Sequence, residues 1–340
     1  MASFRKTTTG GWRAEVYVKG VRDSAVRDTK AEAQAWALKR ETELRSIATG
    51  QGSKTHTVGD VLAEYRDKVS SKKRGERWER LRLDLIGRKK IDGRTFAEIR
   101  LADLKPAHIA AWRDERLKEV SPASVNREMT LLSHALDTAR KEWGWLASEP
   151  MKEIKRPTPG PGRERLISPA EIEAVTLALG FQDGMPVRYA SQRVAVAFLF
   201  AIETAMRSGE ILGLTSQTVD LELRVARLPL TKNGSARSVA LSTRAVELLG
   251  MLPKVEEGAP LFDLNDKSRD ALFRKARDKA FEKQLPEDRL TFHDTRHEAI
   301  TRLAKKLQPL DLARMTGHTN LNELLTYYNE TAADIAARLG

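Results

Sequence analysis

Six side chains in the second half of the sequence are of the types that hold and attack a phosphate: Arg207, Lys232, His293, Arg296, His318 and Tyr327. Arg207 stands in Glu203 to Glu210 (ETAMRSGE), just after an apolar run. Lys232 lies in Thr231 to Gly234 (TKNG), and His293 and Arg296 share Phe292 to His297 (FHDTRH). His318 follows Gly317; Tyr327 comes nine residues later and is doubled by Tyr328. A guanidinium is permanently charged and can hold two phosphate oxygens at once. Taken singly, each residue has an ordinary explanation. Arg207 could cap a helix C-terminus, Lys232 could be an exposed turn residue, His318 a satisfied core histidine and Tyr327 a packed aromatic. His293 and His297, four apart, resemble half of a metal site, but no acidic third ligand is evident and an arginine between them disfavours a cation. The ordered combination points to phosphate chemistry.

Elements must carry these groups. Ser168, Pro169 and Glu171 form an N-cap, a first-turn proline and a capping-box acid, predicting a mostly helical region from there to Gly340. One interruption is expected: strands over Arg224 to Leu230 and Ser238 to Leu241, joined by a turn whose Asn233 and Gly234 are a strong hairpin signal. Asn320 and Glu323 have capping-box spacing, predicting a helix that carries both tyrosines. Thr331 to Leu339 reads as a short amphipathic tail helix with Ala332, Ile335, Ala336 and Leu339 on one side. It could dock on its own domain or enter a neighbouring subunit.

The first half reads as two smaller units. In residues 1–50, Trp12 to Val18 alternates apolar and polar positions, Val21 to Arg27 does so less cleanly, and Lys19 and Gly20 form the turn. A helix then runs from Thr29 to about Thr49, and Gly50 to Ser53 reads as a flexible joint. Residues 56–147 read as all-helical, with Val58, Val61, Leu62 and Tyr65 on one face and Ile109, Trp112 and Arg116 on another. The clearest stripe is Val125, Met129, Leu132, Leu136, Ala139 and Trp143. Ser70 to Arg77 (SSKKRGER) is either a solvated charge run or a phosphate contact. Residues 148–165, with Pro150, Pro157, Pro159 and Pro161, are a linker. The fold class is therefore mainly α with small β elements (α+β).

In this order, arginine, hairpin lysine, His-x-x-Arg, Gly-His and tyrosine, the region from about Arg163 to Gly340 resembles the tyrosine recombinase (phage integrase) family. Its texture is closest to phage integrases and shufflon-type inversion recombinases. The resemblance implies an integrase-type catalytic domain over 166–340, a core-site DNA-binding domain over 56–147 and, less closely, an arm-site domain over 1–50. Thr295 departs from the usual pattern, where an apolar residue is commoner.

The residue types suit strand cleavage. A phosphodiester needs positive, preorganised donors where charge grows, and Arg207 and Arg296 are the candidates. A phenol with pKa near 10 is only about 0.1% phenolate at pH 7, so Tyr327 needs nearby cations and a proton acceptor. His293 is expected to be that helper, His318 to donate to a phosphate oxygen, and Lys232 to protonate the leaving 5′-oxygen; the resemblance implies the same set. The product is a 3′-phosphotyrosyl bond that another 5′-hydroxyl can reseal without cofactor, metal or ATP. Glu210 reads as support for Arg207.

Composition agrees with a nucleic-acid partner. The 340 residues carry a formal net charge of +12, a surplus that attracts polyanions. The longest apolar stretch, Val194 to Ile202, is too short to span a bilayer, and no signal peptide is evident, so a bacterial cytoplasm is expected. With no cysteine, disulfides and thiolate sites are excluded. The expected partner is double-stranded DNA with specific recombination sites, bound by a homotetramer, with room for an accessory DNA-bending protein. Two other readings use the same residues: a type IB-like topoisomerase and a non-catalytic DNA-binding regulator.

Overall fold

The computed structural model describes residues 2–7, 10–18, 21–48, 53–163, 165–229, 236–281, 285, 288–328 and 336. The chain divides into two compact units, Met1–Gly162 and Arg163–Gly340, and the division falls inside the proline-rich linker.

The first unit opens with an antiparallel sheet of β1 (Ala2–Lys6), β2 (Trp12–Val18) and β3 (Val21–Arg27). The hairpin of β2 and β3 is the one its alternation predicts; β1 is an addition, pairing Phe4 with Ala14. Helix α1 (Lys30–Ala48) begins at the Thr29–Glu32 capping box and lies on the sheet through Ala14, Val16, Ala33, Ala37 and Leu44. Small residues on both sides allow that close approach. The expected joint falls largely on residues outside those described. Its last residue, Ser53, is buried and tied to the Trp145 carbonyl at 2.9 Å, so that end is fixed.

Helices α2 (Val58–Lys68), α3 (Glu76–Arg88), α4 (Pro106–Leu117) and α5 (Pro122–Lys141) pack around Val61, Leu83, Ile86, Trp112, Met129 and Leu132. A two-stranded ribbon, β4 (Lys90–Ile91) and β5 (Arg94–Thr95), follows α3. Buried Arg116 answers Glu128, also buried, at 2.8 and 2.9 Å. The charge run 70–77 is partly committed to the fold: Lys73 bonds the Tyr65 hydroxyl at 2.8 Å and Glu79 at 3.0 Å.

The second unit is built around α7 (Ala190–Thr204), preceded by α6 (Pro169–Ala178) on its Ser168–Glu171 capping box. Helix α7 carries the long apolar run and is buried from Val194 to Phe198 and again at Phe200 and Ala201. After it come α8 (Ser208–Leu212) and a sheet of β6 (Val219–Asp220), β7 (Val225–Leu228) and β8 (Arg237–Ala240). The expected hairpin is there as β7 and β8, with Leu228 opposite Arg237; its turn, including Lys232, lies outside the described residues. Helices α9 (Thr243–Gly250), α10 (Asp266–Ala280), α11 (Asp294–Ala304), α12 (Pro309–Thr316) and the single turn α13 (Asn322–Leu325) complete it.

Two contacts fix α11. Phe292, just before it, meets Phe198 and Phe273 at ring-centroid distances of 6.0 and 5.5 Å. The linker end is fastened to the same helix: Arg163 holds Asp294 at 2.7 and 2.9 Å, and the Ile167 amide donates to Glu298 at 3.0 Å. Arg163 and Arg165 also donate to the carbonyls of Arg289 and Asp288.

Candidate active site

Helix α7 ends at Ala205, a residue in the left-handed region at φ +54°, which turns the chain sharply. A side chain there costs about 1 kcal/mol relative to glycine. The turn puts Arg207 at the N-cap of α8, where its amide donates to Glu210 at 2.8 Å and its guanidinium to the same carboxylate at 3.2 Å. A second guanidinium arrives from β8. Arg237 forks onto Glu210 at 2.9 and 2.6 Å and donates to the Met315 carbonyl at 3.1 Å. Burial opposes ionisation of Glu210, yet these bonds outweigh it and hold the carboxyl below its ordinary range.

Arg296 on α11 is the third guanidinium. It is 6% exposed and donates to two carbonyls, that of Ala205 and that of Thr316, the latter at 2.7 Å. Burial, then the charges of Arg207 and Arg237, push it down to about 10. Three guanidiniums thus gather about one carboxylate, leaving two positive charges at the site. His293 caps the same helix and shares with Arg296, Ser208 and Arg269 a cavity of about 230 Å³.

His318 is positioned by a glycine. Helix α12 ends in left-handed Gly317 at φ +75°, and the His318 amide returns to the Ala313 carbonyl at 3.0 Å. The Thr316 hydroxyl donates to the Leu312 carbonyl at 2.6 Å and meets His318 Nδ1 at 2.7 Å. Having given its proton away, that hydroxyl accepts from Nδ1–H, so Nε2 is left to face a ligand. Burial and the charge of Arg296 lower the His318 pKa, against Glu323.

The tyrosines part company. The Tyr327 hydroxyl stands 2.9 Å from Nδ1 of His297, with the rings 4.9 Å apart. The Tyr328 hydroxyl donates to the Leu307 carbonyl at 3.0 Å, and burial raises its pKa. The helix expected to carry both is corrected: α13 is a single turn that ends at Leu325, before either. Its capping box does not form; the Asn320 side chain accepts from the Asn322 amide, two residues on, as in a turn.

The structure therefore brings Arg296 together with the Ala205 turn that precedes Arg207 and with the Thr316 segment that precedes His318, and it sets Tyr327 on His297, the residue after Arg296. His293 lies on the cavity wall beside Arg296, whereas the histidine at the Tyr327 hydroxyl is His297. Two residues escaped the sequence. Arg237 falls one residue before the strand that the alternation predicts, and the sequence marks His297 only as half a metal site. Among the described residues, no group of three His, Cys, Asp or Glu side chains is placed to hold a metal ion.

Comparison with known proteins accords with this arrangement. Residues 186–334 match the phage integrase family. The chain is 37% identical over 328 residues to a protein of Haemophilus influenzae described as an integrase/recombinase, covering 95% of this chain and 86% of that one. It is 35% identical over 293 residues to a shufflon-specific DNA recombinase of Escherichia coli, covering 83% and 71%. Its fold is similar to that of a lambda integrase solved as a tetramer bound to a Holliday junction, with TM-score 0.62, 17% identity and coverage of 95% and 94%. A guanidinium cluster, a histidine presented by Gly317 and a tyrosine beside them are thus found in a chain that belongs to the phage integrase family, and it is a site-specific DNA recombinase of the tyrosine recombinase type.

Proposed function

We propose that Tyr327 attacks a DNA phosphate held by Arg207 and Arg296, breaks the bond to the 5′-oxygen and forms a 3′-phosphotyrosyl intermediate. One observation carries this reading: three guanidiniums share one carboxylate, which leaves two positive charges at the site, buried Arg296 included. A phosphodiester brings one negative charge, and the transition state approaches two, so the site is complementary to the transition state more than to the ground state. Arg237 is a further candidate clamp beside Glu210. The anion raises the pKa of His318, which takes a proton from solvent at Nε2 and donates it in a hydrogen bond to a phosphate oxygen. His293 helps from the cavity wall, and Lys232 protonates the leaving 5′-oxygen. The later attack of a 5′-hydroxyl on the phosphotyrosine rejoins the strand.

The three-part division belongs to the same proposal: 1–50 for arm-type DNA, 56–147 for core-site DNA, and 166–340 for catalysis. Assembly as a homotetramer on recombination-site DNA is supported by the fold likeness to the lambda tetramer. Among the described residues no helix is long and apolar enough to cross a membrane.

Adduct mapping tests the nucleophile. Incubated with site-bearing DNA in excess EDTA, the wild type and Tyr328→Phe should form a covalent adduct whose phosphopeptide contains Tyr327. Tyr327→Phe should bind the same DNA and form none. A phosphate on Tyr328, or an adduct that requires added magnesium, overturns the assignment.

A further inference from the structure

Resting on Tyr327 as the nucleophile, we propose that His297 is the immediate proton acceptor of that tyrosine, a role distinct from those of His293 and His318. The 2.9 Å contact is made by Nδ1, and a neutral imidazole protonated at Nε2 presents a lone pair there to the phenolic hydroxyl. His297 follows Arg296 directly on α11, so the residue that grips the phosphate and the residue that receives the proton are set by one rigid helix. That helix is anchored at both ends of the relevant turn. The Thr301 hydroxyl donates to the His297 carbonyl at 3.0 Å, and Asp294 is locked by Arg163 and by the Thr291 amide at 2.7 Å.

Two alternatives are a tyrosine parked away from the reaction and a merely packed ring. The place of its partner argues against parking: the histidine that the hydroxyl meets directly follows Arg296, the residue that would hold the phosphate, on α11. The behaviour of Tyr328 argues against simple packing. It belongs to the same apolar cluster, with Leu324 and Leu312, yet its hydroxyl goes to a backbone carbonyl that cannot take a proton, while its neighbour goes to a base. Among the described residues, the charged groups near this corner include Arg296 on α11, Arg207 and Arg237, which act on Arg296 and His318, Asp311 on α12, which acts on Tyr328, and Glu323 on α13, which acts on His318.

The cleavage step balances. The Tyr327 oxygen forms the new bond to phosphorus as its proton passes to His297 Nδ1, giving imidazolium; the bond to the 5′-oxygen breaks, and that oxygen takes a proton from the general acid. On rejoining, the 5′-hydroxyl oxygen bonds phosphorus and returns its proton to the group that served as general acid, while the phenolate leaves phosphorus and recovers the proton from His297.

The experiment isolates the nucleophile's side. In a suicide substrate whose scissile 5′-oxygen is replaced by sulfur, the leaving thiolate needs no proton, so single-turnover adduct formation reports on activation of the tyrosine. The wild-type rate should climb with pH as a neutral base becomes available, and then level off. His297→Asn, which keeps an acceptor near Nδ1 but cannot take a proton, should form adduct at least 10-fold more slowly at pH 7 and lose the climb. Its rate should recover at high pH as hydroxide removes the phenolic proton. A flat wild-type profile overturns the proposal without any variant. An unchanged His297→Asn profile overturns it too, and a faster one makes the contact a restraint instead. The failure of the underlying reading has a different signature: adduct that still forms in Tyr327→Phe.

Discussion

Glu210 is one carboxylate serving two guanidiniums and partly offsetting their repulsion of the buried Arg296. Neutralising it should therefore hurt twice. Glu210→Gln leaves buried Arg237 without its counter-charge, a loss of about 3 kcal/mol in chemical denaturation. Phosphate positioning should suffer as well, with adduct formation at least 10-fold slower. The pH dependence follows from the direction of the shifts. Glu210 and Asp294 are both held below the ordinary carboxyl range, so their contribution is complete above a pH of about 4.5 and is lost as pH falls through their depressed folded values. Acid titration of stability should show that loss in the wild type and a shallower slope in Glu210→Gln. Equal slopes would mean the carboxylate is not the acid-sensitive group. At this scale the sequence disclosed residue types well and partners poorly. Arg207 and Arg296 were legible because a helix end and a His-x-x-Arg cluster flag them. Arg237 was not, because a lone arginine at a strand end looks like any exposed cation until the fold buries it to 7% side-chain exposure.

Short turns, more than long helices, aim the candidate site residues. Ala205 aims the carbonyl that receives Arg296, and Gly317 aims His318. A Cβ at Gly317 would lie 3.2 Å from both Cδ and Nη1 of Arg237, in a backbone conformation that side chains disfavour. Gly317→Ala should cost about 1–2 kcal/mol of stability from the backbone alone. It should also slow adduct formation by displacing Arg237 and His318 together, whereas Gly250→Ala, with open space around its Cβ, should leave the rate unchanged. Similar rates for the two variants would show that Gly317 serves only the turn. Long periodic helices such as α5 were plain in the sequence, since its stripe repeats over five buried positions, Val125, Met129, Leu132, Leu136 and Ala139. Helix α3 was not, because exposed Trp78 and Leu81 blur its apolar face and only Leu83, Ile86 and Gly87 are buried. Strand β1 has too few residues to show alternation, and α13 stops where its cap promised continuation.

At the scale of the molecule, the surplus of positive charge is distributed over a chain that divides in two at its proline-rich segment. The sheet and helix at the start have a separate small core and meet the helical part through contacts such as Arg40 with the Trp143 carbonyl at 2.8 Å. A protein beginning at Thr55 should therefore keep its helical core, bind and cleave core-site DNA, and lose affinity for a second, distinct site. Full-length binding should weaken steeply with salt, with a larger logarithmic slope than the shortened protein, because each phosphate contact releases counterions. Identical footprints and slopes for the two would refute a DNA-binding role for residues 1–50. The linker's position was legible from proline alone; the fastening of its end was not, since it depends on partners more than a hundred residues away.

That fastening bears on how such chains can be recombined with one another. Because Arg163, Arg165 and Ile167 are bonded to the segment 288–298, they are structural parts of the catalytic half, though they read as tether. A hybrid that borrows its first half from a relative should be spliced at or before Gly162. A splice only a few residues later would import a foreign strap, leave Asp294 without the Arg163 guanidinium, and loosen the helix bearing Arg296 while leaving every candidate site residue in place.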